Sequence, residues 1–372
     1  YYIKELAAPD GYVTDQEPQE FTFEYQGSGT SVAEYAFTFE DEQTTVELSK
    51  ADLTDKKELP GASLKVTDED GNTVDEWVSK EEAHIIKGLI VGKKYKMTET
   101  KPADGYVTAE SIEFTVENTK EVQKHQMLDD VTKVEISKKD ITDSSEVPGA
   151  KLIILDKNGK KVESWTSTDK PHMVEKLPVG EYTLREEQAP DGYLIAEDVK
   201  FTVKDTGKVQ KVKMKDAHPY GKLVIKKTDS TSKAALPGAE FELREKESGK
   251  VVEKLVTDKT GTATSGKIPI ATYKNGKVEK TVEYILVETK APNGYELSSK
   301  KEEIRFEYKD GKTKVIEIVK EIKNTKSPSG STPTGNSPKT GDSTNIWLPI
   351  LLAVLSACGI GGVIWYKKKK GN

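Results

Sequence analysis

The chain has one cysteine among 372 residues, Cys358, so no disulfide framework can brace it. Histidine is scarce: His84, His125, His172 and His218 are scattered without the spacing of a metal-ligand set, and they read as surface residues. Positive charge is not in excess. The 57 Lys and Arg against 63 Asp and Glu leave a net charge of −6, which excludes a basic face for nucleic acid. No amphipathic stretch of convincing helical length precedes residue 345, and no Ser/His/Asp or Cys/His set stands in a hydrolase context. Asp68-Glu69-Asp70-Gly71-Asn72 has its glycine too early for a calcium loop and lacks the closing Glu, so it reads as a hairpin turn. Nothing calls for a metal or a cofactor. With 34% hydrophobic and 32% charged residues, each core is expected to be thin and each surface well solvated.

What the chain does have is repetition. Glu186-Glu187-Gln188-Ala189-Pro190-Asp191-Gly192-Tyr193 recurs, with changes, from Glu5 to Tyr12, from Glu99 to Tyr106 and from Glu288 to Tyr295. A tyrosine precedes each Glu by four positions: Tyr1, Tyr95, Tyr182 and Tyr284. Alternation before the Glu predicts a strand, and Pro-Asp-Gly or its variant predicts the turn that ends it. A second phrase lies upstream: Leu59-Pro60-Gly61-Ala62, Val147-Pro148-Gly149-Ala150 and Leu236-Pro237-Gly238-Ala239, with the prolines 88 and 89 residues apart. That period is too long for a solenoid and fits tandem small domains.

In chain order, residues 1–43 read as the tail of a truncated repeat. Alternating Phe21, Phe23 and Tyr25, then Phe37 and Phe39, predict two strands there. Residues 44–130 make a whole domain, 131–218 repeat its plan, and 219–325 form a longer version with an insertion between Gly266 and Lys280. Trp77 and Trp165 occupy equivalent positions, which favours packing over a carbohydrate site. Residues 326–336 are a Ser/Pro/Thr/Gly linker with nothing to bury. The whole reads as all-β up to the linker. Residue 1 falls inside a repeat, so the sequence reads as the C-terminal part of a longer chain with its leader upstream.

The end of the chain is different. Ser337-Pro338-Lys339-Thr340-Gly341 precedes 342–372, where an apolar run from Ile346 to Tyr366 is followed by four lysines, Lys367 to Lys370. That run is long enough, at about 1.5 Å per residue, to cross a bilayer as one helix, and the lysines would hold the terminus in the cytoplasm. The order of pentapeptide, span and basic tail resembles the cell-wall sorting signals of Gram-positive sortase substrates. The resemblance implies cleavage between Thr340 and Gly341, transfer of the Thr carboxyl to wall peptidoglycan, and a membrane stage only before sorting. Ser337 stands where the usual signal has Leu, a variant known among other sortases of that family.

Overlaying the repeats puts three polar positions in register. Each opening strand carries Lys two residues before Asp: Lys50 and Asp52, Lys138 and Asp140, Lys227 and Asp229. Each later strand carries the Glu of the first phrase: Glu99, Glu186 and Glu288. Each closing strand ends on a carboxyl or carboxamide: Asp129, Asp216 and Asn324. Lys50 to Asp129 is 79 residues and Lys138 to Asp216 is 78; Glu to Asp is 30 in both. Glu5 and Asp41 fit the same pattern in the first fragment, with no Lys partner among residues 1–43. A Lys/Glu/Asp trio on strands is commonly a solvated salt bridge worth under about 1 kcal/mol. The shared register points beyond that.

Ile136-Ser137-Lys138-Lys139-Asp140 and the register around it resemble the collagen-adhesin B-type (Cna-B, SpaA-like) domains of Gram-positive adhesins and pilins, over roughly residues 1–325. The resemblance implies tandem prealbumin-like (Ig-like) β-sandwiches, followed by the single transmembrane helix. It also implies a spontaneous Lys–Asp or Lys–Asn isopeptide bond in each whole domain, joining Lys50 to Asp129, Lys138 to Asp216 and Lys227 to Asn324. Glu99, Glu186 and Glu288 would promote the bonds, each acting once in its own domain. The physics is consistent: burial disfavours charge, so it makes an amine nucleophilic and keeps a carboxyl neutral. Folding then makes their encounter intramolecular. The expected protein is a non-enzymatic, wall-anchored adhesin or adhesin stalk, secreted and displayed on the cell surface. Its expected partners are a sortase, peptidoglycan and a host matrix protein such as collagen, bound upstream. A basal pilus subunit, and the spacer of a surface hydrolase with its catalytic domain upstream, are the alternatives.

Overall fold

Alternation becomes two facing sheets in each repeat. A computed structural model describes residues 1–328, and every regular element among them is a β-strand. The sorting pentapeptide, the apolar run and most of the linker lie outside the described residues.

In the module spanning 44–130, the opening strand Thr45–Asp52 is the centre of a three-stranded sheet. On one side it pairs antiparallel with His84–Lys87. On the other it pairs parallel with the closing strand Gln123–Asp129, placing Asp52 opposite Asp129. The facing sheet runs Thr73–Val78, Ser63–Thr67, Lys94–Lys101, Ile112–Thr115. Val46, Leu48 and Met127 from the first sheet meet Leu64, Val66, Met97 and Phe114 from the second in a single apolar cluster. Trp77 packs against its rim, as Trp165 does in the next module.

The second module repeats this arrangement, with Lys133–Asp140 parallel to Gln210–Asp216. In the third, Tyr220–Asp229 and Val315–Asn324 run parallel over ten paired residues. Its insertion forms a separate antiparallel hairpin, Ala271–Lys274 with Lys277–Thr281. A parallel pair cannot be closed by a tight turn, so everything between the first and last strands of a module is crossover. The first and last strands are therefore direct neighbours despite the sequence between them.

The N-terminal segment departs from expectation. Only Tyr2–Ile3 and Gln19–Glu20 pair, with an isolated bridge from Tyr12 to Gln43. No strand forms at Phe21–Tyr25 or Phe37–Phe39. A lone hairpin is marginal without a third strand or a covered face. Here the aromatic rings pack against one another instead, Phe21 tilted on Phe37 at 4.8 Å and Phe23 edge-on to Tyr35 at 5.0 Å between centroids.

The third core contains one position that only glycine fits. Gly221 is the second paired residue of the opening strand, and a Cβ there would come within 2.5 Å of the Phe306 ring. Gly221→Val should cost the third module about 1–3 kcal/mol by overpacking. Urea unfolding followed by hydrogen exchange should show the loss in residues 220–324 and leave 44–130 unchanged.

Candidate functional site

Each module buries one lysine, one glutamate and one carboxyl or carboxamide between its two sheets. Lys50, Lys138 and Lys227 are no more than 2% exposed, and Asp129, Asp216 and Asn324 no more than 3%. Glu99, Glu186 and Glu288 are each 4% exposed. The lysine and its partner come from the parallel first and last strands. The glutamate comes from the facing sheet.

The amines reach both partners. Nζ of Lys50 is 2.9 Å from Oε1 of Glu99 and lies directly against Oδ1 of Asp129. Nζ of Lys138 is 3.0 Å from Oε2 of Glu186 and against Oδ1 of Asp216. Nζ of Lys227 is 3.0 Å from Oε1 of Glu288 and against Oδ1 of Asn324. The structure thus brings together all nine residues that the register singled out. It also separates Lys227 from its neighbour Lys226, which is exposed on the opposite face of the strand.

Three local devices hold the set, and sequence reading missed two of them. The first is a β-bulge directly after each glutamate: Leu64 pairs with Glu99 while Ser63 pairs with Lys101, so Thr100 is skipped. The same slip follows Glu186 and Glu288. A bulge bends the strand and re-aims a side chain, here into the inter-sheet space. The second is a backbone N–H ten residues on: Ala109, Ala196 and Ser298 donate to Oε2 of their glutamates at 2.7, 2.6 and 2.9 Å. Neither device has a side-chain signature, since both are made by backbone. The third is the Pro-Gly phrase, which was legible. Leu59, Val147 and Leu236 donate their N–H groups to the carbonyls of Lys50, Lys138 and Lys227 at 2.6, 2.7 and 2.9 Å. Gly61, Gly149 and Gly238 take positive φ to allow that turn.

The electrostatics differ between the two acceptor types. Burial pushes the Asp129 carboxyl up to about 7; the Lys50 amine pulls it down, and the nearby Glu99 adds to the rise. Asp216 is pushed up to about 7 for the same leading reason. Oδ2 of each aspartate and Oε1 of each facing glutamate are buried without a well-aligned hydrogen bond, although Oε1 of Glu99 is within 2.9 Å of the amine. A proton retained on Asp129 or Asp216 would satisfy the facing carboxyl oxygens. In the third module no such proton is needed. The Asn324 amide donates to both oxygens of Glu288, at 2.9 and 3.1 Å. There, burial lowers the Lys227 amine pKa, against the pull of Glu288.

Glu5 and Asp41 are placed without a lysine. Glu5 accepts the N–H of Asp15 at 2.6 Å, the same ten-residue spacing as in the whole modules. Oδ1 of Asp41 is buried without a partner. The histidines lie half-buried at the surface, each against an aromatic ring. His84 stacks on Trp77 and His172 on Trp165 at 4.2 and 4.4 Å between centroids, His125 stacks on Phe114 at 4.5 Å, and His218 lies against Tyr273. Those contacts join residues that share no strand, so isolated histidines gave no hint of them.

The profile of the SpaA prealbumin-like fold domain matches three stretches, residues 44–130, 132–218 and 221–322. Among solved structures, the Bacillus anthracis TIE protein aligns at 28% identity and a TM-score of 0.51, over 76% of this chain and 51% of that one. This chain therefore spans about half of that protein. BcpA, the major pilin subunit of Bacillus cereus, aligns at 19% identity and a TM-score of 0.45, over 76% of this chain and 99% of that one. The full-length major pilin SpaD from Corynebacterium diphtheriae aligns at 19% and 0.37, over 78% and 98%. No curated protein matches by sequence.

The raised aspartates set a pH dependence for the unlinked fold. A carboxyl whose folded pKa is raised favours folding fully below its unfolded value, near 4, and loses that contribution as pH rises through about 7. In a Glu186→Gln chain whose second module is unlinked, the melting temperature of that module should fall between pH 4 and pH 7. Adding Asp216→Asn should abolish the fall. Calorimetry across that range would show it.

Proposed function

The chain belongs to the SpaA prealbumin-like domain family, and from that premise we propose that its three whole modules form a covalently locked stalk. The observation that carries this reading is the dry contact of each lysine amine with one acceptor side chain and one glutamate, repeated in all three modules. In the first two modules Nζ of Lys50 or Lys138 attacks Cγ of Asp129 or Asp216. The new N–C bond replaces a C–O bond, and the departing hydroxyl leaves as water with one amine proton. In the third, Nζ of Lys227 attacks Cγ of Asn324, and Nδ2 leaves as ammonia. The glutamate takes the proton from the amine and returns it to the leaving group. Pre-positioning replaces a bimolecular encounter, so no separate enzyme is required.

The consequence is mechanical and proteolytic resistance. The bond closes a loop of 79 residues in the first module. By analogy with disulfides such a loop is worth about 4–5 kcal/mol in the entropy of the unfolded chain. A pull along the chain crosses from opening to closing strand at the bond, and the crossover between them carries no load. The sorting pentapeptide Ser337–Gly341 and the apolar run after it support a wall-anchored protein, attached by a sortase through Thr340 to peptidoglycan. An adhesive region for a host matrix protein would lie upstream. A pilus subunit is the alternative, but the sequence has no lysine in a Tyr-Pro-Lys context of the pilin kind.

Intact mass of the 44–325 segment tests the bonds. Two waters and one ammonia should be missing, about 53 Da in total from the leaving groups named above. Glu99→Ala, Glu186→Ala and Glu288→Ala should each restore one leaving group, and a mass equal to the residue sum would overturn the reading. Anchoring is tested separately: Thr340→Ala should move the protein from the wall fraction to the membrane fraction in a sortase-bearing host.

A further inference from the structure

Two parts of the repeated phrases take no part in the buried trios. They are the aspartate two residues after each lysine and the tyrosine seven residues after each glutamate. In every module these two find each other: the hydroxyls of Tyr106, Tyr193 and Tyr295 donate to Oδ2 of Asp52, Asp140 and Asp229 at 2.8, 2.7 and 2.9 Å. The other oxygen, Oδ1, caps the following loop through the N–H of Thr54, Thr142 and Thr231. The pair therefore sits at the pole of the module, where the crosslinked strands end.

At both joints between whole modules, that same Oδ2 accepts a second donor from the joint or from beyond it. At the first, Nζ of Lys176, from the second module, is 2.6 Å from the Tyr106 hydroxyl and 3.3 Å from Oδ2 of Asp52, and lies over the Tyr106 ring. At the second, Nε2 of His218 is 2.8 Å from Oδ2 of Asp140. The His218 ring is stacked under Tyr273, centroids 3.5 Å apart and planes at 3°, and Tyr273 belongs to the inserted hairpin of the third module. The Tyr273 hydroxyl donates to the carbonyl of Gly192 at 2.8 Å, inside the repeated phrase itself, and Tyr308 donates to the carbonyl of Tyr193 at 3.0 Å. Linked domains move relative to one another unless an interface prevents it. Here two chemically different keys enter the same place.

We propose that the Asp–Tyr pair is a docking receptor by which each module grips the one that follows, with Lys176 as the key of the first joint and the 271–281 hairpin, through Tyr273, as the key of the second. The pair is made within one module, but its remaining acceptor capacity is directed outward, which a purely local loop cap would not require. The insertion in the third module thereby acquires a role: it restores by aromatic stacking what a lysine does at the first joint. Backbone geometry agrees. Lys176 holds a left-handed φ of 61°, and Gly88 takes a positive φ at the corresponding place one module earlier. The lysine accepts a conformation that glycine adopts freely, and its amine is placed on the pair.

The test uses the full chain with Cys358→Ser and spin labels on exposed positions, Lys96→Cys with Lys200→Cys across the first joint and Lys200→Cys with Glu303→Cys across the second. Lys176→Gly should at least double the width of the distance distribution across the first joint and leave the second unchanged. Tyr273→Ala should do the reverse. Tyr106→Phe, which removes one hydroxyl and keeps the ring, should reproduce the Lys176→Gly result in part and guards against a folding defect at position 176. Unchanged widths in all three variants would overturn the proposal, as would a single substitution broadening both joints.

Discussion

The structure turns on keeping an amine out of water. A buried lysine without compensation is costly, and these three modules each contain one. Everything around it follows from that constraint. The parallel pairing of first and last strands brings the acceptor to its side, and the bulge turns a glutamate toward it from the opposite sheet. The Pro-Gly turn fixes its carbonyl. As a simple ion pair the arrangement would be a poor source of stability, because burying both charges costs more than their attraction commonly returns. As reactants awaiting a bond, the same groups benefit from the same dryness, which favours neutral amine and neutral acid.

Much of this was legible in the sequence for a specific reason: repetition turned spacing into evidence. Lys50, Glu99 and Asp129 in one module alone are three common residues, whereas the same separations in the next module mark positions that must coincide in space. The all-β character was legible too, from alternation. What stayed hidden was made by backbone or by long-range stacking. The bulge after Glu99 and the N–H of Ala109 carry no residue signature. His84 and His172 looked solvent-facing because nothing local announces a tryptophan from the facing sheet. The aromatic alternation at Phe21 to Tyr25 was misread because period-two patterning makes a strand only where a neighbouring strand is available.

The third module shows how the plan tolerates change. Its acceptor is an amide, its separation from the lysine is 97 residues instead of 78 or 79, and its insertion adds a hairpin. The buried geometry is nonetheless the same within about a tenth of an ångström at the glutamate. The inserted hairpin lies outside the two sheets, where extra residues do not disturb the register of Tyr220–Asp229 with Val315–Asn324. Growth at the periphery is compatible with a fixed interior, because the parallel strand pair alone sets where lysine and acceptor meet.

That parallel pair has one more effect, on slack. Between Lys50 and Asp129 lies a stretch that, if a module opened under tension, would pay out roughly 260 Å of free chain at about 3.3 Å per residue. Were the two strand ends fused as proposed, that reserve would stay coiled away whatever the pull. A string of modules locked in that way could not act as a shock absorber that yields by unravelling; it would transmit a tug almost undiminished from its outer end to its root.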